Sequence, residues 1–182
     1  FGTSPFQNLF VRLDVNTGAA LSATALPATI GTITGVNGIA AHPVTGLVYG
    51  IAKVSGTAGR VLFTMDPATL ALTAIGNLGD NFSSLAFAAD GTLYGVTGDG
   101  ATVSETLYTI DIVTAAKTLV RALGNGADGE VIAFHAEGLL YHWSGNGTVV
   151  MESLDPADGF MTITNIPTIG AAGANVVNYA RG

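Results

Sequence analysis

The sequence predicts an all-β protein, a small β-propeller of four blades of about 45 residues each, and three observations carry that expectation. Apolar residues are dispersed over many short segments, one apolar hairpin segment recurs along the chain, and an aspartate-centred turn recurs with the same period. Hydrophobic residues make up 48% of the 182 and charged residues only 10%, below the usual quarter. No apolar run reaches the roughly 18–20 residues that cross a bilayer, because Gly, Thr, Asn or Asp interrupts each one.

The hairpin segment reads GIAAHPVTGLVYGI at 38–51, SLAFAADGTLYGV at 84–96 and VIAFHAEGLLYHW at 131–143, with Tyr49, Tyr94 and Tyr141 spaced by 45 and 47 residues. The turn element reads LDVNTG at 13–18, MDPATL at 65–70, IDIVTA at 110–115 and LDPADG at 154–159. Its aspartates, Asp14, Asp66, Asp111 and Asp155, are 52, 45 and 44 residues apart. Two independent markers with one period identify a repeat.

Each period accommodates four short strands, in the second repeat 83–88, 92–97, 106–111 and 117–122. The first two meet at Ala-Asp-Gly, where Gly91 can take the positive φ that a tight hairpin needs. The third ends at Asp-x-x-Thr, whose carboxylate can accept hydrogen bonds from main-chain N–H groups just ahead. Gly-rich connections at 76–80 and 124–129 then lead to the next inner strand. Four antiparallel strands per 40–50 residues make a propeller blade.

These motifs resemble the NHL- and YVTN-like propeller repeats of many secreted bacterial proteins, with their LYxIDxxTG and LAFxxDGxLYG segments. The resemblance covers nearly the whole chain and implies a fold; such repeats serve many roles. The fourth turn element departs from the pattern, with Asp158 where Thr is usual.

The expected boundaries are about 37–77 for blade 1, 83–123 for blade 2 and 130–166 for blade 3, within a single domain of 1–182. Blade 4 combines both ends of the chain, 174–182 with 1–25. Here 174–182 supplies the inner strand, 8–14 the third and the stretch near 20–25 the fourth. On this alignment Asn178 falls opposite His42, Phe87 and Phe134. The second strand of blade 4 is left vacant. Residues 1–7, with Pro5, either fill it or leave an unpaired edge, and such an edge is a template for another chain. Phe1, Pro5, Phe6 and Tyr179 are therefore the candidate assembly residues. The start at Phe1 rather than Met fits a chain whose leader has been removed or whose ends have been trimmed.

The net charge of −7 rests on 13 acidic and six scattered basic residues, which gives no cluster able to displace counterions from a nucleic acid. Membrane insertion is likewise not expected. Absence of cysteine excludes disulfides, iron–sulfur clusters and thiolate zinc sites.

Among candidate site residues, His42 aligns with core phenylalanines and reads as an inter-blade packing residue. His135 and Glu137 share a strand face, yet Glu137 falls in the turn. His142 occupies the place of Gly50 and Gly95 beside Trp143, and this bulky pair could stack a ligand. Asp80, Asp128 and Glu130 lie in loops that precede inner strands and could offer oxygen ligands to Ca²⁺, although no confident metal or other cofactor follows. Asn81 and Asn146 begin glycosylation sequons. No catalytic motif of the GxSxG, HExxH or GxxxxGK type occurs.

The resulting expectation is a non-enzymatic extracellular or cell-surface structural protein, a self-assembling subunit of a filament, sheath or surface layer, whose partner is another copy of itself. The alternative is an extracellular propeller module that binds a glycan or a protein.

Overall fold

The computed structural model describes residues 1–4, 6–124, 130–144 and 150–167. It is all-β, with four antiparallel sheets arranged as the blades of a propeller. The first sheet contains β1 (Gly2–Ser4), β2 (Gln7–Leu13) and β3 (Ala20–Ala25) in that order. Blade 1 contains β4 (Ile33–Ala41), β5 (Val48–Val54), β6 (Val61–Met65) and β7 (Leu72–Asn77). Blade 2 follows with β8 (Phe82–Phe87), β9 (Leu93–Thr97), β10 (Thr106–Ile110) and β11 (Lys117–Ala122). Blade 3 holds β12 (Val131–Phe134), β13 (Leu140–Ser144), β14 (Val150–Leu154) and β15 (Ile163–Asn165). The inner strands stack in sequence, β4 on β8 and β8 on β12, and β2 packs against β4.

The turns form as the repeat requires. Asp14 accepts hydrogen bonds from the amides of Asn16 and Thr17, Asp66 from Ala68 and Thr69, Asp111 from Val113 and Thr114, and Asp155 from Ala157. Main-chain donors hold the Asp14 and Asp111 carboxyls below the usual aspartate value. In the fourth element Asp158 does work that Thr does elsewhere, capturing the amides of Met161 and Thr162. Gly91 adopts φ 88° in the β8–β9 turn.

Strand alternation gives blades 1 and 2 two buried faces each, and the described core lies between neighbouring sheets rather than within one. Phe10 and Leu26 of the first sheet pack with Val36, Val48 and Phe63 of blade 1. Ile51 and Leu62 of blade 1 meet Phe82, Leu85 and Leu93 of blade 2. Val96 and Leu107 of blade 2 meet Ile132, Leu140 and Leu154 of blade 3. Each such side chain contributes about 1.5–3 kcal/mol through removal from water.

The strand left vacant in the sequence alignment is occupied. β1 pairs antiparallel with β2, Gly2 opposite Val11 and Thr3 opposite Phe10, and the Phe1 ring lies 4.8 Å from that of Phe10. Phe1 is therefore engaged within its own chain, whereas Phe6 is exposed. Pro5, Tyr179 and the expected inner strand 174–182 lie outside the described residues.

One alignment is corrected by the register. His42 N–H bonds to Leu47 O, Ala88 N–H to Thr92 O and His135 N–H to Leu139 O, so the first hairpin turn is one residue longer than the other two. The residue in register with Phe87 and Phe134 is consequently Ala41, and His42 is equivalent to Ala88 and His135. Aligning on the turn glycines hid the insertion.

Candidate functional site

Two places in the molecule concentrate chemistry. The first is a cavity of about 390 Å³ where the inner hairpins of three blades turn, at one mouth of the central channel. Its walls are the rings of Phe1, Phe87 and Phe134, with His42 and His135 beside them and a floor of small residues such as Ala41, Ala88 and Ala136. The repeat itself builds this lining: equivalent positions of successive blades converge on the axis. His42 lies edge-on to Phe87, 5.0 Å between centroids, which fits its expected packing role between blades. Its Nδ1 accepts hydrogen bonds from the amides of Val44 and Thr45. His135 Nδ1 accepts one from Glu137 N, and the Glu137 carboxylate stands 3.9 Å away on that same side.

The second place is a charge network inside blade 3. His142 and Glu152 are cross-strand partners on β13 and β14, with His142 Nδ1 3.0 Å from Glu152 Oε1. His142 Nε2 is hydrogen-bonded to Glu130 Oε2, and Ser144 donates to Glu130 Oε1 at 3.1 Å. All four side chains are buried. Glu130 is held by its main chain, whose carbonyl accepts from Ser83 Oγ of blade 2 at 2.9 Å. Burial is the largest influence on His142 and opposes its charge, but the hydrogen bonds and negative charges of Glu130 and Glu152 together outweigh it and raise its pKa to about 9. The ring is therefore an imidazolium at neutral pH. Glu152 Oε2 is buried without a hydrogen-bond partner among the described residues.

The other blades supply the comparison. The pair equivalent to His142–Glu152 is Gly50–Phe63 in blade 1 and Gly95–Tyr108 in blade 2. A Cβ at Gly50 would come within 2.4 Å of Phe63 Cζ, and one at Gly95 within 2.6 Å of Ile110 Cδ1. Glycine is thus required there because neighbouring side chains fill its place. Blade 3 exchanges this glycine–aromatic packing for a buried ionic one, a substitution that costs desolvation.

The remaining sequence candidates disperse. His142 and Trp143 point to opposite faces of β13, His142 buried and Trp143 37% exposed, so they form no joint stacking patch. Asp80 accepts from Asn81 N, Thr102 N and Val103 N and lies 3.9 Å from Lys117 Nζ, which makes it the anchor of the 98–105 loop. Those donors and Lys117 outweigh burial and lower its pKa. Glu130 is committed to His142, and Asp128 lies outside the described residues. Among the described residues no group of three His, Cys, Asp or Glu is arranged to hold a metal ion. The Asn81 side chain accepts from Arg60 and donates to Gly100 O; Asn146 lies outside the described residues. Glu152 went unnoticed in the sequence, although asking what faces the repeat's glycine across the strand pair would have found it.

No family model and no curated protein matches the chain. Solved structures do. A chain of the nidogen/laminin complex superimposes with a TM-score of 0.63 at 14% identity, covering 90% of this chain and 59% of that one. The gluconolactonase XC5397 from Xanthomonas campestris gives 0.67 at 19% identity, covering 94% and 59%. Kuenenia stuttgartiensis hydrazine synthase gives 0.55 at 16%, covering 87% and 43%. The chain thus spans about three-fifths of the first two. At these identities the likeness is one of fold.

Proposed function

We propose that the chain is a non-enzymatic, extracellular ligand-binding propeller module of the secreted NHL-/YVTN-like kind, with its ligand seated at the channel mouth. The carrying observation is the 390 Å³ cavity walled by three phenylalanine rings and two histidines, a size and lining suited to a small molecule. Aromatic faces supply most of the contact, and the imidazoles supply orientation. Among the described residues the lining offers no hydroxyl or carboxylate side chain to act as a nucleophile or as a paired acid and base. Saturation-transfer NMR with a panel of benzoate, phenol and methyl glucoside tests the reading. Binding of at least one probe, weakened by Phe87→Ala or Phe134→Ala, supports it; no transfer to any probe overturns it.

A second reading, the self-assembling structural subunit, is favoured by β3. This outer strand, ALSATA, is exposed along its whole length and carries no charge and no proline, so it lacks the usual defences against edge-to-edge pairing. The vacancy at 1–7 no longer recommends this reading, since β1 fills it. Negative-stain microscopy of concentrated protein discriminates: ordered polymers favour assembly, and discrete particles count against it.

A further inference from the structure

The cavity's polar side chains restrict what can enter it. Among the described lining residues, His42 and His135 carry the polar side chains and the others are apolar or glycine. Their protonation pattern follows from the turns. His42 Nδ1 accepts two main-chain N–H groups, from Val44 at 3.2 Å and Thr45 at 3.3 Å, and His135 Nδ1 accepts that of Glu137 at 3.3 Å. A ring nitrogen that accepts carries no proton, so the neutral rings hold their hydrogens on Nε2. Neither Nε2 has a hydrogen-bond partner among the described residues. His42 and His135 occupy equivalent register positions of blades 1 and 3, and blade 2 has only Ala88 there. The described lining therefore presents two N–H donors, one from blade 1 and one from blade 3, with Ala88 at the equivalent place in blade 2. Aromatic rings stand beside them, and there is no side-chain acceptor among the described lining residues; the Glu137 carboxylate stands on the Nδ1 side of His135.

We propose that this site selects a small planar molecule bearing a hydrogen-bond acceptor, specifically an aromatic carboxylate, whose ring lies against Phe87 and Phe134 while its carboxylate accepts from His42 Nε2 and His135 Nε2. The proposal rests on the binding reading above and adds the class of ligand. An amine or other donor-only ligand finds no side-chain acceptor among the described lining residues and loses its hydration without replacement there. A plain arene gains the stacking alone. Charge-assisted hydrogen bonds to the carboxylate are the stronger kind and set the preference.

The test compares benzoate, benzylamine and fluorobenzene against the intact 182-residue chain by chemical-shift titration, in the wild type and in His42→Phe, His135→Phe and the double variant. His135 is 54% exposed, and phenylalanine at 42 keeps a ring against Phe87, so folding is retained and is verified by the amide spectrum. Benzoate is expected to bind at least tenfold more tightly than benzylamine and fivefold more tightly than fluorobenzene, with both preferences collapsing toward one in the double variant. Equal affinities for benzoate and fluorobenzene in the wild type, or preferences unchanged in the double variant, overturn the carboxylate assignment and leave the binding reading standing. Failure of all three probes overturns both.

Discussion

Replacing His142 by glycine removes the only cation from between two buried carboxylates, and the consequence can be sized in two ways. The rise of the His142 pKa from 6.5 to about 9 corresponds to about 3 kcal/mol of stabilisation by its surroundings. Breaking a buried pair by deleting one member costs about 3–5 kcal/mol, because the remaining charge is left uncompensated. The two figures agree, so His142→Gly is expected to lose about 3 kcal/mol in urea unfolding at pH 7 with an unchanged m-value. The triple variant Glu130→Gln, His142→Gly, Glu152→Phe installs the glycine–phenylalanine pair of blade 1 and removes both charges. It is expected to recover most of the loss, since apolar replacements of buried ion pairs are commonly neutral or stabilising. A raised histidine pKa stabilises fully below 6.5 and loses that stabilisation as the pH climbs through the folded value. Wild-type stability should therefore fall between about pH 7 and 10, and the triple variant should lack that fall. Burial also raises the phenol pKa values of Tyr94 and Tyr108, but their effect begins above pH 10 and is common to both proteins. A loss below 1 kcal/mol in His142→Gly, or a triple variant no more stable than the single one, would refute the reasoning.

Three other sets of variants probe the framework. Gly50→Ala places a Cβ 2.4 Å from Phe63 Cζ and is expected to cost about 1–3 kcal/mol in thermal or urea unfolding, partly recovered by adding Phe63→Leu. Phe10→Ala, in the core between the first sheet and blade 1, is expected to cost about 3–5 kcal/mol by the same measurement. Ser22→Lys with Thr24→Lys on exposed β3 should change stability by no more than about 0.5 kcal/mol while abolishing any concentration-dependent association seen by light scattering.

The features legible in the sequence are those encoded locally. An Asp-x-x-Thr turn is specified by one carboxylate and the amides two and three residues ahead, so its three copies and the Asp155 variant are placed by sequence alone. The strands of blade 2 lie within a residue of their expected limits for the same reason. Register across a turn is less accessible. One inserted residue in the 42–47 turn moved His42 from the phenylalanine position to that of Ala88, and with it to the cavity. The ionic network was harder still. His142 stands out against Gly50 and Gly95, and Glu130 reads as a metal candidate, but their direct bond and the third member Glu152, ten residues beyond His142 on the paired strand, emerge only from the strand pairing. Identity could be read residue by residue; partnership depended on pairing.

The account turns on the channel mouth as the place where a ligand sits. Amide chemical shifts recorded during a benzoate titration locate that place directly. Movement concentrated at Ala88, Ala89 and Ala136, in the inner hairpin turns, is the predicted result. Movement confined to Asn81, Gly98 and Gly100 at the opposite end of the β8–β9 hairpin, or none at saturating benzoate, would contradict it.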